Sequence, residues 1–228
     1  ASAIAFDAGW HVPQALDDDG MDRVTDAFVH GARRAVRLGF EVIELHSAHG
    51  YLLHQFLSPL SNQRDDAYGG TLADRLRFPL QVLEAVRAVV PSSVALGMRI
   101  SATDWVDGGW DVDDSIEYVG AAQSVGIDYV CVSSAGLTAQ ARVPIGPGYQ
   151  VPAAARIRAA TGVVTRAVGL ITSAMQANAI ITEGQADQVA LARAILDDPR
   201  WGWHAADALA AEVHCPPQYA RARPGSWR

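Results

Sequence analysis

The chain has 228 residues, 50% of them hydrophobic and 19% charged, which is enough apolar material for a full core in an ordinary globular composition. Its net charge of −7, with the arginines scattered instead of massed in one block, makes nucleic acid a poor partner. No apolar run approaches the ~20 residues of a membrane span, and Cys131 and Cys215 are too few and too far apart for a disulfide framework or a zinc site, so a soluble protein in a reducing cytoplasm is expected. The start, Ala1-Ser-Ala-Ile-Ala-Phe6, has neither an initiating Met nor a basic flank, and reads as a truncation.

Periodicity predicts an alternation of helices and strands. Residues 21 to 38 place Val24, Phe28, Ala32, Ala35 and Val36 at helical spacing, with Gly39 as the stop signal before an apolar strand over 41 to 46. An amphipathic stretch over 71 to 90 follows, in which Pro79 predicts a kink or a short break, and then a strand over 94 to 100. The cycle repeats with a helix over 113 to 125 and a strand over 129 to 133, a helix over 151 to 160 and a strand over 163 to 168, and a helix over 173 to 183 and a strand over 188 to 193. Trp201 and Trp203 fall in a further helix, as core or interface anchors.

Strands each fed by a helix predict an α/β protein with a parallel sheet. A dinucleotide-binding doubly wound sheet would carry G-x-G-x-x-G after its first strand, and no such pattern follows any strand here, which favours the barrel family. A closed (β/α)8 barrel requires eight strands and the sequence supplies five. Residues 1 to 228 are therefore expected to be a single partial TIM-barrel domain, the C-terminal five strand-helix units, with three strands absent on the N-terminal side. Such a sheet should be open at both edges, and the chain should be oligomeric or completed by an N-terminal segment.

The strongest chemical signal is Glu41-Val-Ile-Glu-Leu-His46-Ser-Ala-His49-Gly50-Tyr51, an apolar strand ending in two imidazoles and a phenol. Read singly, each is an ordinary surface or core residue. Gathered at the C-terminal end of a parallel strand, where such folds hold their ligands, they point to chemistry. The spacing of His46, His49 and His54 is not that of a metal helix, and no metal site is expected. Arg99 is a charge inside an otherwise apolar strand, which calls for a partner or a ligand. Three strand ends, Ser133-Ser-Ala-Gly136, Val168-Gly169-Leu170 and Leu191-Ala192-Arg193, offer small residues and one cation to an oxyanion. Asp104 to Gly109 is a loop that borders the site or merely turns the chain.

The run His46-Ser-Ala-His49-Gly-Tyr51-Leu-Leu-His54-Gln-Phe-Leu-Ser58-Pro59-Leu-Ser-Asn62-Gln-Arg64-Asp-Asp-Ala-Tyr68-Gly69-Gly70, followed by Arg75-Leu-Arg77-Phe78, resembles the Old Yellow Enzyme family of flavin-dependent ene-reductases, in particular the bacterial subgroup that includes xenobiotic reductases. The resemblance extends from Ser2 to Tyr219. It implies an FMN-bearing (β/α)8 barrel that takes hydride from NADPH or NADH and reduces activated C=C bonds of small-molecule alkenes, with the chain beginning just after the family's third strand. It also implies that His46 and His49 bind the substrate's carbonyl or nitro oxygen and that Tyr51 donates a proton to Cα. By the same resemblance, Arg99 faces the N1 side of the flavin, and Ser133, Gly169, Leu170, Ala192 and Arg193 hold its phosphate end. Ala192 departs from the Gly of many relatives, which matters only if the backbone there needs a positive φ. Arg221, in the tail, matches a residue that crosses a dimer interface into the neighbour's site. The competing reading is an incomplete, catalytically inactive barrel fragment, or one half of a split flavoprotein.

Overall fold

The structure, a computed structural model, describes residues 1–222. Helix α1 (Asp18–Arg37) starts at Asp17, whose carboxylate accepts the Gly20 N–H at 2.8 Å, and its acidic first turn and basic last turn complement the helix dipole. It feeds β1 (Val42–Ser47), which is followed by the short α2 (Leu52–Leu57). Helix α3 (Leu72–Arg87), capped by Thr71, runs unbroken through Pro79, so the chain does not take the short break that is one of the two expected outcomes. Buried Leu76, Phe78, Val82 and Leu83 pin this helix to the core on both sides of the proline, so packing outweighs one missing N–H.

The remainder alternates as expected: β2 (Ala95–Ser101), α4 (Val112–Val125), β3 (Tyr129–Ser133), α5 (Val151–Thr161), β4 (Val164–Ala167), α6 (Ala174–Thr182) and β5 (Gln188–Val189). Helix α4 opens with a reciprocal capping box between Asp111 and Asp114. Two short helices, α7 (Arg193–Asp197) and α8 (Trp201–Ala208), and a 3-10 turn (Pro217–Ala222) end the described chain. Trp201 packs partly buried against the core and donates its indole N–H to Thr172 O at 2.7 Å. Among the described residues no helix is long and apolar enough to cross a membrane.

The five strands form one parallel sheet in the order β1-β2-β3-β4-β5, open at β1 and at β5. One strand is shorter than expected: β5 covers two residues where 188 to 193 was predicted. Its partner β4 ends at Ala167, because Gly169 (φ 119) and Leu170 (φ 49) turn the chain away, so beyond Ala190 nothing remains for β5 to pair with.

Helices α1, α3, α4 and α5 lie side by side, each in contact with the next, and cover one face of the sheet. That face is apolar: Leu45, Leu96, Met98, Ile100, Val130, Val132 and Ala167 are all buried. The opposite face carries a polar row, since register sets His46 beside Arg99, Arg99 beside Cys131, Cys131 beside Arg166 and Arg166 beside Gln188. A doubly wound sheet has helices on both faces; a sheet covered on one face and polar on the other is the wall of a barrel. Strands β1 and β4 are three strand spacings apart, roughly 14 Å at about 4.8 Å each, and the long Arg166 and Glu44 side chains span that gap across the polar face to meet at 3.3 Å.

One glycine makes that crossing possible. The ring of Tyr129 lies over Gly97, donates its hydroxyl to Glu44 Oε2 at 3.0 Å and sits under the Arg166 guanidinium, 4.4 Å from the ring centroid. A Cβ on Gly97 would stand 2.2 Å from Tyr129 Cε1, and the ring is held on two sides. Gly97→Ala should therefore cost about 1–3 kcal/mol through overpacking, read as a lower urea midpoint with an unchanged slope; a midpoint equal to wild type would mean that Tyr129 is free to move.

Candidate active site

The site is built around the turn that leaves β1. His49 and Gly50 adopt successive left-handed conformations, with φ of 57 and 72. For a histidine this is uncommon, and it persists only where the surroundings impose it. They do so here from two strand ends. The His49 N–H donates to Ser101 Oγ at 2.9 Å, and that hydroxyl donates to Ala135 O at 2.8 Å. His49 Nε2 lies 2.8 Å from Ser133 Oγ. Gly50 packs so tightly on Gly136 that an added Cβ would stand 2.2 Å from the Gly136 carbonyl oxygen.

This turn brings the three predicted ring residues together. The His46 and His49 ring centroids are 5.1 Å apart, and those of His46 and Tyr51 are 5.2 Å apart. Tyr51 is 63% exposed and its hydroxyl has no partner among the described residues, which leaves the phenol free to meet a ligand. His46 is exposed on the polar face and His49 is half-buried. Burial pushes His49 down to about 4, with the Arg99 cation adding to the effect. His46 is lowered as well, by desolvation and then Arg99, while Glu44 pulls the other way. At neutral pH both rings are therefore neutral N–H donors.

Arg99 stands beside His46 in register, on the same face. Its Nε is buried without a hydrogen-bond partner, and no ion pair engages its guanidinium among the described residues. The salt bridge that would have given Arg99 a structural role is thus absent among the described residues. Arg99 also lines a cavity of about 220 Å³, together with Ser133, Gly169, Leu170, Ala192 and Arg193, so all six of the predicted cofactor residues meet on one hollow. The volume is below the ~300 Å³ at which whole-ligand pockets begin, and suits one end of a cofactor. Ala192 has φ −121, so a side chain is accommodated there without strain. Arg221 is not gathered in: it is exposed in the terminal 3-10 turn, and no hydrogen bond or ion pair joins it to the site among the described residues.

Sequence reasoning did not single out Gln150, Ser101, His54 or Asp104. Gln150 is 3% exposed, accepts from Ser133 and Ser134 at 3.2 and 2.6 Å, and donates to Val168 O at 2.9 Å, tying the end of β3 to the end of β4. A glutamine immediately before a helix carries no distinctive signal. Asp104, read only as a loop residue, is fully buried under the β1 turn.

A one-sided parallel wall with its polar residues at the C-terminal strand ends fits the (β/α)-barrel class of enzyme scaffold. The chain belongs to the NADH:flavin oxidoreductase / NADH oxidase family, whose model matches residues 3–212. It is 44% identical over 227 residues to an NADPH dehydrogenase of Geobacillus thermodenitrificans, covering 100% of this chain and 65% of that protein. An NADPH dehydrogenase of Bacillus licheniformis is 42% identical over 221 residues, with coverages of 97% and 64%. Among solved structures, morphinone reductase in complex with tetrahydroNAD superposes with a TM-score of 0.73 at 25% identity, over 95% of this chain and 61% of that one. A 2-naphthoyl-CoA reductase bound to 2-naphthoyl-CoA shares the fold with a TM-score of 0.83 at 21% identity, over 92% of this chain and 32% of that one. The chain thus spans about 65% of the length of the curated relatives it matches.

The low value for His49 links the site to stability. An unfolded histidine titrates near 6.5 and the folded one near 4, so between those values the unfolded state binds more protons. The contribution of a neutral His49 is complete above about pH 6.5 and is lost as pH falls towards 4. Urea midpoints measured from pH 7.5 to 4.5 should therefore decline more steeply for wild type than for His49→Gln; parallel curves would show that His49 titrates normally.

Proposed function

We propose that this chain carries the catalytic and cofactor-binding residues of an FMN-dependent NAD(P)H oxidoreductase that reduces electron-poor C=C bonds, residues 1 to 228 being one partial barrel domain. The observation that carries the reading is Arg99: a cation with a buried unpartnered Nε, beside two neutral histidines, opening onto a hollow lined by glycine, small residues and a second arginine. Such a donor set fits a flavin mononucleotide, whose ring and phosphate both present anionic or acceptor oxygens. Arg99 would hold the N1 side of the ring, and Ser133, Gly169, Leu170, Ala192 and Arg193 the phosphate side. When bound, FMN supplies the two-electron carrier between NADPH or NADH and the alkene.

The protein's own groups divide the remaining work. His46 and His49 direct N–H donors at the carbonyl or nitro oxygen of the substrate, where negative charge develops as the alkene is reduced, His49 by turning the one N–H of its neutral ring from Ser133 Oγ to the ligand; one such donor is typically worth about 3 kcal/mol. Their depressed proton affinity keeps them neutral donors instead of cations. Tyr51 gives its phenolic proton to Cα, and its exposure lets an alkene approach the hydroxyl. A larger cleft of about 800 Å³ borders Gly50 and Gln55, with apolar walls at Ile4, Phe6, Leu60 and Leu137 and polar ones at Asp7 and His11, and offers an approach for a small polar alkene.

The reading is tested by adding FMN to the flavin-stripped chain and following flavin fluorescence, then NADPH-driven reduction of a simple enone under anaerobic conditions. Saturable quenching with turnover is the expected result; no binding would favour an inactive fragment, for which the open β1 and β5 edges speak. With turnover established, Tyr51→Phe should slow alkene reduction by on the order of a hundredfold while leaving the NADPH half-reaction intact, as separated by stopped flow. Equal loss in both halves would assign Tyr51 to structure. Arg99→Met should lower the potential of the bound flavin in a potentiometric titration, because a cation beside the reduced ring is removed; an unmoved potential would place Arg99 elsewhere.

A further inference from the structure

Behind the β1 turn lies a buried polar chain that the function above does not use. His54, on α2, is 0% exposed, and its Nδ1 accepts the Gly50 N–H at 2.9 Å. A ring nitrogen that accepts a backbone N–H carries no proton, so the proton of the imidazole sits on Nε2. Nε2 lies 3.1 Å from Asp104 Oδ1, also 0% exposed, in contact although off the straight hydrogen-bond line. The other carboxylate oxygen, Oδ2, accepts from Ser58 Oγ at 2.6 Å and from the Trp110 N–H at 2.9 Å. On the far side of the same glycine, Gln55 Nε2 donates to Gly50 O at 2.7 Å. Both polar groups of the Gly50 backbone are therefore held by α2 side chains.

We propose that the His54–Asp104 pair is a positioning device for His49 and Tyr51, in which Asp104 fixes the His54 tautomer so that Nδ1 stays bare and holds the Gly50 amide; the proposal rests on the roles given above to those two residues. Three arguments carry it. Burying an imidazole and a carboxylate costs more than burying two apolar side chains of the same volume, so packing alone does not account for the pair. The acceptor it creates points at one place, the amide between His49 and Tyr51. That place is a left-handed turn which does not hold its shape unaided, with φ 57 at His49 and 72 at Gly50. Asp104 belongs to the loop after β2 and His54 to the helix after β1, so the pair also locks two strand ends to each other.

The test compares His54→Asn with His54→Leu in the 228-residue chain. Asparagine sets an acceptor oxygen where Nδ1 stood; leucine fills the volume and offers none. Long-range proton–nitrogen NMR of the histidine-labelled wild type should show His54 with a bare Nδ1 and a protonated Nε2. The Gly50 amide should be protected from exchange in wild type and in His54→Asn, and exposed in His54→Leu. The ring-to-ring cross-peaks from His46 to His49 and to Tyr51 should follow the same pattern. These readouts need no flavin, so they stand or fall apart from the proposed activity. Where enone reduction is measurable, His54→Leu should lower kcat by on the order of tenfold to a hundredfold with the KM for NADPH unchanged, and His54→Asn should restore most of it. A wild-type Nδ1 that carries the proton, or a leucine variant that keeps the amide protection and the cross-peaks, would overturn the proposal. If the leucine variant does not fold, the wild-type tautomer and the asparagine variant decide: loss of Gly50 protection in His54→Asn would equally overturn it.

Discussion

Two successive left-handed residues, His49 and Gly50, are the constraint on which the site depends. The left-handed conformation costs an ordinary residue roughly 1–2 kcal/mol, and the cost is met by bonds from outside the turn. Ser101 takes the His49 amide, Ser133 takes its ring, Gly136 fills the space below Gly50, and α2 holds both ends of the Gly50 peptide. The geometry that sets the His49 imidazole and the Tyr51 phenol is thus a joint property of the ends of β2 and β3 and of α2, none of which would fix it singly.

The charges on the polar face are arranged to the same end. Glu44 is the anion on β1 that faces the row, and it is taken up by Arg166 and by the Tyr129 hydroxyl. Arg99 is left without a counter-ion among the described residues, so its field falls on the nearest titratable groups, and it contributes to lowering both His46 and His49. Cys131 lies between Arg99 and Arg166 in register, yet burial pushes its thiol up to about 11, which keeps it neutral and unreactive. The face therefore presents one uncompensated cation and two neutral donors. Electron-rich, oxygen-bearing ligands are what such a surface favours.

Much of this was legible in the sequence, for identifiable reasons. The strand and helix order followed from hydrophobic period, and β3, with all five residues buried, fell where its apolar run placed it. The length of β5 was not legible, because a strand ends where its neighbour turns away, and the turn at Gly169 and Leu170 is a tertiary fact. The unbroken α3 shows the same limit: local chemistry at Pro79 argued for a break, and burial on either side prevailed. In the site, His46, His49, Tyr51 and Arg99 announced themselves by residue type at a strand end or within an apolar strand. Gln150 and Asp104 did not, since their roles depend on partners 16 to 18 and 46 to 50 residues distant, brought close only by the fold.

The most recognisable run in the chain is mostly scaffold, and this changes what its recognition implies. Asn62 donates to Phe56 O and Tyr68 O, Arg75 to Leu57 O and Gly70 O, and Arg64 to Ala1 O and Leu16 O, so the loop from Ser58 to Thr71 is tied down by side chain to backbone bonds. A family signature of this kind reports that α2 is held in place, and α2 is what holds Gly50. The two histidines at the end of β1 are held unequally. His49 is fixed through its amide and its ring, whereas His46 stands exposed on the open-edge strand and has no hydrogen bond from its ring among the described residues. The position of His49 is therefore set by the strand ends around it, while that of His46 is left open to the free side of β1.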